Sequence, residues 1–276
     1  MTKALVTGGG GFLGGAIVDL LLDRKWQVNS YSRSTYPSLE EKGVLCFQGD
    51  LTDKEALTKA CADVNIVFHV AAKAGMWGPY EDYYQANVLG TNNVIEACQE
   101  AKVARLVYTS SPSVVFDGKD MEGVDESVPY PSHYESHYPK TKAIAEQAVL
   151  KANSAELATC SLRPHLIWGP GDNHLIPRIV DRAQKGQLRI IGEGKNKVDT
   201  VFVYNAALAH LLAAENLSPT SPVAGKAYFI TNDEPRVLWE IINDILKAAG
   251  EPPITRHVPK AVAYAAGWVF ENVYGI

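Results

Sequence analysis

Residues 3–24, KALVTGGGGFLGGAIVDLLLDR, join two apolar runs through four consecutive glycines, Gly8 to Gly11, and a Phe-Leu-Gly-Gly step. An ordered glycine is about 0.5–1 kcal/mol less favourable than alanine inside an element, so such a cluster marks a turn where side chains would not fit. The first run has strand length and the second has helical periodicity. A glycine turn that ends a strand and opens a helix is the context of a dinucleotide fingerprint, and it reads T-G-x-x-G-x-x-G through Thr7, Gly8, Gly11 and Gly14. Gly8 permits the tight turn. Gly11, with Phe12 and Leu13 after it, brings backbone N–H groups to a pyrophosphate at the helix N-terminus, and Gly14 lets helix and strand pack closely.

Downstream, strand-length runs alternate with helix-periodic segments: QVNSYS, VLCFQG and a helix at 53–62, NIVFHVAA and a helix at 81–101, RLVYTSS and a helix at 139–153, then TCSLRP. This alternation predicts an α/β fold with a doubly wound parallel sheet. After residue 165 it breaks into short pieces with loops such as GPGDNH and GEGKNK, so residues 1–165 are expected to form the dinucleotide-binding domain and 166–276 a smaller substrate-binding lobe interleaved with the sheet. The last segment, AVAYAAGWVFENVYGI, reads as a core-packing helix whose continuation is absent.

Composition narrows the function. The chain is 46% hydrophobic and 21% charged with a net charge of −5, which fits a globular enzyme and argues against a nucleic-acid partner. Cys46, Cys61, Cys98 and Cys160 are widely spaced, with no C-x-x-C pair, and read as reduced core thiols rather than a disulfide frame or metal site. A strand begins almost at residue 1 and no run of 18 apolar residues occurs, so a cytoplasmic protein without signal peptide or spanning helix is expected.

The second strand lacks the acidic residue that would bind the adenosine ribose of NAD; Ser32 stands there, followed by Arg33. A guanidinium there can clamp a 2′-phosphate, so NADP (NADPH) is expected over NAD, the alternative for Arg33 being a surface role at a strand end. Asp50 follows the third strand and is placed to accept from the adenine amino group, with Leu51 against the ring; a helix-capping role suits Thr52 and Asp53 better.

Chemistry is expected from YPKTK, 138–142. Tyr138 is the only tyrosine followed four residues later by lysine, Lys142, which places both on one helix face. A ketone reductase needs a proton donor for the oxygen, and a phenol with a pKa of about 10 is too weakly acidic unless a neighbouring cation favours its phenolate. Ser111, at the carboxyl end of a strand, can polarise the carbonyl. His133 and His137 read as solvated loop residues rather than proton relays. Met76, Trp77 and Trp168 fall in loops at the substrate mouth, where they either wall an apolar ligand or simply pack.

TGGGGFLG at 7–14, GDL at 49–51, HVAAKAG at 69–75, NVLGT at 87–91, YTSSPSVV at 108–115, YPKTK and LRPHLIWGPGD at 162–172 together resemble the extended short-chain dehydrogenase/reductases, Rossmann-fold enzymes, over nearly the whole chain. AAKAGMWG, SLRPHLIWGPGDN and VDTVFVYNAALAHLLA are most similar to the 3β-hydroxysteroid dehydrogenase/isomerase branch, and within it to bacterial 2-alkyl-3-oxoalkanoate reductases of long-chain olefin biosynthesis. The resemblance implies Ser111, Tyr138 and Lys142 as catalytic triad, with Asn87 positioning a water or the lysine. It also implies Ala71, Ala72 and Lys73 beside the cofactor ribose and the backbone from Pro164 to Ile167 at the nicotinamide amide. The expected partners are a small apolar ketone, a homodimeric mate and other enzymes of the same pathway. A hydroxysteroid dehydrogenase working oxidatively and a non-catalytic NADP-binding regulator are the competing readings; the first suits an acid at Ser32, and the second commonly loses the tyrosine or lysine kept here.

Overall fold

The computed structural model describes residues 1–75 and 77–274, with side chains as far as Val269. Two compact units emerge: residues 1–167 with 201–230, and residues 168–200 with 231–276.

The first unit is built on a seven-stranded sheet. Its strands are β1 (Lys3–Thr7), β2 (Gln27–Ser32), β3 (Leu45–Gln48), β4 (Ile66–His69), β5 (Arg105–Thr109), β6 (Ala158–Pro164) and β7 (Ala227–Ile230). They run parallel in the order β7-β6-β5-β4-β1-β2-β3. The order reverses between β1 and β4, which makes the carboxyl edge there the ligand crevice of a doubly wound sheet. Register lines that edge up: Thr7 pairs with His69, and His69 with Tyr108. Every residue of β4 and β6 is buried, as parallel strands covered on both faces require.

Helices α1 (Phe12–Asp23), α2 (Pro37–Glu41), α3 (Lys54–Ala60), α4 (Tyr80–Tyr83), α5 (Gly90–Glu100), α6 (His137–Lys151) and α8 (Val203–Asn216) complete this unit, with α7 (Leu175–Gln184) in the other. Two large apolar clusters, one drawing on α1 and α8 and the other on α3, α5 and α6, and a small one of Val114, Val115 and Ala143 form the core. Asp53 caps α3 by accepting from the Ala56 N–H at 3.0 Å.

The structure departs from the sequence reading in three places. The expected helix at 81–101 is interrupted by a π-helical stretch, Tyr84–Leu89, between α4 and α5; its wider turn carries the buried Asn87. Residues 201–230 return to the first unit, because α8 buries Val203, Ala206, Ala207, Leu211 and Ala214 against the sheet and β7 pairs with β6. The C-terminal segment does form α10 (Lys260–Tyr274), after α9 (Leu238–Ala248), but Val262, Tyr264, Trp268 and Val269 are exposed rather than buried in a core. Among the described residues, the buried apolar side chains of the second unit are Ile190, Ile242 and Leu246.

Candidate functional site

The glycine turn lies at the carboxyl end of β1. Gly8 has φ of +72°, and a Cβ there would meet the Ala71 backbone at 3.2 Å; a Cβ on Gly14 would lie 2.1 Å from the Gly8 carbonyl oxygen. Neither position accepts a side chain without moving backbone. The N-cap Gly11 offers no side-chain cap, and the first turn of α1 carries no acidic residue. The positive end of the helix therefore faces outward with its N–H groups uncapped by side chains, which suits a bound pyrophosphate. At the end of β2, the Ser32 hydroxyl is buried without a hydrogen-bond partner and Arg33 is exposed beside it. This cradle fits a dinucleotide.

Other predicted cofactor residues take distinct places. Asp50 is exposed and accepts from the N–H and hydroxyl of Thr52 at 3.0 and 2.8 Å, which holds its carboxyl below the usual range. Leu51 is buried, with its Cβ close enough to Gly90 to exclude a side chain there. Phe12 is partly buried and Leu13 buried in the α1 cluster. Ala71 abuts Gly8, Ala72 is exposed, and Lys73 has both its backbone groups engaged by Asn87: its N–H donates to Oδ1 at 2.8 Å and its carbonyl accepts from Nδ2 at 3.1 Å. Pro164 closes β6 against Ile230, and Ile167 follows partly buried.

A buried polar chain runs behind this edge. The Thr7 hydroxyl accepts from the Val70 and Ala71 N–H groups at 3.1 Å each, so its own proton goes to Nδ1 of His69 at 2.8 Å. That leaves the Nε2–H tautomer, which donates to Thr91 at 3.0 Å; Thr91 in turn donates to the Asn87 carbonyl at 2.6 Å. Burial drives the His69 pKa down to about 3, so the ring is neutral, as the chain needs. Asn87 also donates to the Thr141 hydroxyl on α6 at 3.1 Å. The side chain expected to position a water or the lysine thus clamps the residue before Lys142.

At the carboxyl end of β5, the Ser111 hydroxyl accepts from the Ser113 N–H at 3.2 Å and lies 2.8 Å from the Ser113 hydroxyl. Tyr138 is partly buried at the start of α6. Lys142, one turn on, is 2% exposed; its Nζ donates to the Thr109 carbonyl at 2.6 Å and lies 4.2 Å from the centre of the Tyr108 ring. Thr109 is itself held, its hydroxyl donating to Nε2 of the buried His210, whose Nδ1–H donates to the Ala206 carbonyl at 2.7 Å. Burial lowers Lys142 to about 7 and raises the Tyr138 phenol, with Ser111 pulling the latter back. Desolvation therefore dominates the Tyr138 phenol, and the group that lowers it is Ser111 rather than the lysine to which the sequence reading gave that task.

His137 is exposed, edge-on to the Tyr80 ring at 5.4 Å, and His133 is exposed. Trp77, 62% exposed in the first unit, accepts at its carbonyl from the Tyr83 hydroxyl at 2.9 Å; Trp168, 39% exposed, opens the second unit. Met76 lies outside the described residues. Sequence reading missed Thr7, His69, Thr109 and His210 as positioning groups and overlooked Glu146 and Arg163. The available signal was polar or charged residues inside otherwise apolar, fully buried runs. Among the described residues no cluster of His, Cys, Asp and Glu could hold a metal, and no helix is long and apolar enough to cross a membrane.

The doubly wound sheet and its glycine turn, with serine, tyrosine and lysine gathered at the carboxyl edge, are those of an oxidoreductase that acts on a small molecule with a nicotinamide dinucleotide. Residues 5–258 match the 3-beta hydroxysteroid dehydrogenase/isomerase family, and the chain belongs to it. It is 51% identical over 274 residues to a 2-alkyl-3-oxoalkanoate reductase of Stenotrophomonas maltophilia strain K279a, covering 99% of this chain and 83% of that one. It is 40% identical over 265 residues to the decarboxylating sterol-4-alpha-carboxylate 3-dehydrogenase of Mus musculus, covering 95% and 73%. Among solved structures it is similar to a Thermus thermophilus UDP-glucose 4-epimerase complex with NAD, at 27% identity and a TM-score of 0.75 over 94% of this chain and 86% of that one.

Proposed function

We propose that this protein reduces the 3-keto group of a 2-alkyl-3-oxoalkanoate to the 3-hydroxy acid with NADPH, a step of long-chain hydrocarbon biosynthesis. One observation carries the reading: Tyr138 stands one turn of α6 from the buried Lys142, on a chain half identical to a reductase of that name. Bound NADPH would supply the hydride to the keto carbon. Tyr138 gives its proton to the keto oxygen, Ser111 donates a hydrogen bond to that oxygen, and Lys142 favours the phenolate left behind. Asn87 fixes the lysine indirectly, through Thr141 and the Lys73 backbone.

Arg33 and the unpartnered Ser32 hydroxyl would take the 2′-phosphate, with Asp50 and Leu51 toward the adenine. The segments at Ala71–Lys73 and Pro164–Ile167 would flank the ribose and nicotinamide. The second unit serves as substrate lobe, to which Trp168 brings an apolar side chain. The protein works in the cytoplasm as a homodimer alongside enzymes of the same pathway; light scattering after gel filtration tests the dimer.

A sterol dehydrogenase is the second reading, favoured by the sterol-4-alpha-carboxylate relative. Both names place a carboxylate one carbon from the oxygen-bearing carbon, so the two readings share the reacting centre and differ in chain against ring. Each buried methylene is worth about 0.8 kcal/mol, so an acyl site gains several-fold in kcat/KM per added carbon until the groove fills. NADPH oxidation with 3-keto acids of graded length, beside a 3-ketosteroid, tests this. A flat length response with efficient steroid turnover would move the assignment to the sterol reading.

A further inference from the structure

The buried face of α6 carries a third functional group. Tyr138, Lys142 and Glu146 are spaced four apart and stack along one side of the helix. Glu146 is fully buried. From β6, Arg163 donates to it through Nη2 at 2.6 Å and through Nε at 3.1 Å to each carboxylate oxygen, and the Ser161 hydroxyl donates at 2.8 Å. From the segment before α6, the Tyr130 hydroxyl donates at 2.6 Å. The guanidinium lies against the Tyr130 and Phe229 rings, 5.8 and 5.3 Å from their centres.

A buried ion pair is a weak source of stability compared with apolar packing, so this one invites a different explanation. Its carboxylate lies one helical turn from a second buried charge. Around Lys142, α6 presents Tyr138 and Glu146; β5 presents the Tyr108 ring and the Thr109 carbonyl, with His210 of α8 behind the Thr109 hydroxyl. From β4 comes His69, which is neutral, and from the π-helical stretch Asn87; the Lys73–Asp82 pair beside α4 is half-exposed. Glu146 is the anion among these that opposes the loss of the lysine proton on burial. Arg163 keeps that anion charged, holding Glu146 below the usual carboxylate range despite its burial.

We propose that Glu146 is a positioning residue for the reaction: fixed by Arg163, Tyr130 and Ser161, its carboxylate is the buried counter-charge that keeps the Lys142 ammonium charged beside Tyr138. This rests on the reading of Lys142 as the partner of Tyr138. It makes a prediction that a purely structural ion pair does not. Glu146→Gln leaves Arg163 as a lone cation and disfavours the ammonium, whereas Arg163→Gln leaves a lone anion and favours it.

The test is a titration of cofactor-free protein labelled with ¹³C at the lysine ε-carbons, the Lys142 resonance being assigned by its loss in Lys142→Met. Relative to wild type, Glu146→Gln should lower the Lys142 titration by about one pH unit or more, and Arg163→Gln should raise it. Either single variant risks misfolding by stranding a buried charge. The double variant Glu146→Gln/Arg163→Gln strands none, and in it Lys142 should still titrate below wild type, because Glu146 is on the same helix face. Shifts of the two single variants in the same direction, or a double variant that titrates like wild type, would overturn the proposal. NADPH oxidation with a 3-keto acid on the same wild-type protein separates the two readings. Inactive wild type with opposite lysine shifts refutes the reductase and leaves the counter-charge; active wild type with unmoved lysine refutes the counter-charge alone.

Discussion

The carboxyl ends of β1 and β5, separated in the sheet by β4 alone, are built in opposite ways. At β1 the chain removes side chains: Gly8 adopts a positive φ, Gly14 has no room for a Cβ, and no side chain caps α1. At β5 it adds polar ones: Ser110 and Ser111, a Thr109 held on both sides, and an ammonium buried against a carbonyl and a ring. The first edge leaves backbone dipoles free for an outside anion. The second ties its charges down and sets their protonation. The two edges thus differ in whether the protein leaves its polar groups open or holds most of them itself, the Tyr108 and Ser110 hydroxyls at β5 being buried without a partner.

That contrast can be broken at either edge. Ser111→Ala should reduce kcat by about 10²–10³, the range for losing one donor to a developing oxyanion, while NADPH affinity holds. Steady-state rates and a fluorescence titration on the same sample check it. At the other edge, Gly14→Ala should weaken NADPH about 100-fold, since its Cβ would meet the Gly8 carbonyl oxygen at 2.1 Å; Gly15→Ala, whose Cβ would have ordinary contacts at 3.6 Å, should bind normally. Equal affinities for the two glycine variants would refute the backbone cradle.

Smaller effects sharpen the comparison. Arg33→Ala should erase most of an NADPH-over-NADH preference of about tenfold, because a charge-assisted bond to the 2′-phosphate is worth roughly 1.5–3 kcal/mol. Equal dissociation constants for the two cofactors in wild type would remove Arg33 from the site. The neutral buried histidines give a stability signature. Folded pKa values of about 3 for His69 and about 4 for His210 lie below the ordinary 6.5, so between these limits the unfolded chain binds the extra protons. Stability is therefore complete above about pH 6.5 and falls as pH drops, by about 1.4 kcal/mol per pH unit for each histidine. Urea midpoints from pH 7 to pH 4.5 measure this, and His69→Gln should flatten the slope by one proton.

How far the sequence foretold each edge follows from the same difference. The glycine edge was legible because its signal is local: a strand, a turn that excludes side chains and a helix within 22 residues. Tyr138, Lys142 and Ser111 were legible as well, through helical spacing and a strand end. The network that holds them was not, because it is assembled across distance: Thr7 to His69, Asn87 to Thr141, Thr109 to His210, Glu146 to Arg163. The π-helical turn was hidden because its residues keep an ordinary helical pattern. Residues 201–230 were read as part of a lobe interleaved with the sheet, and their place in the first unit was not legible because it rests on the pairing of β7 with β6, far apart in the chain.

The most direct test of the account is Tyr138→Phe, with turnover of a 2-alkyl-3-keto acid and the NADPH dissociation constant measured on one preparation. The account predicts a loss of about 10²–10⁴ in turnover with the dissociation constant nearly unchanged, since the phenol serves the reacting edge and not the binding one. Near-normal turnover in the variant would contradict it.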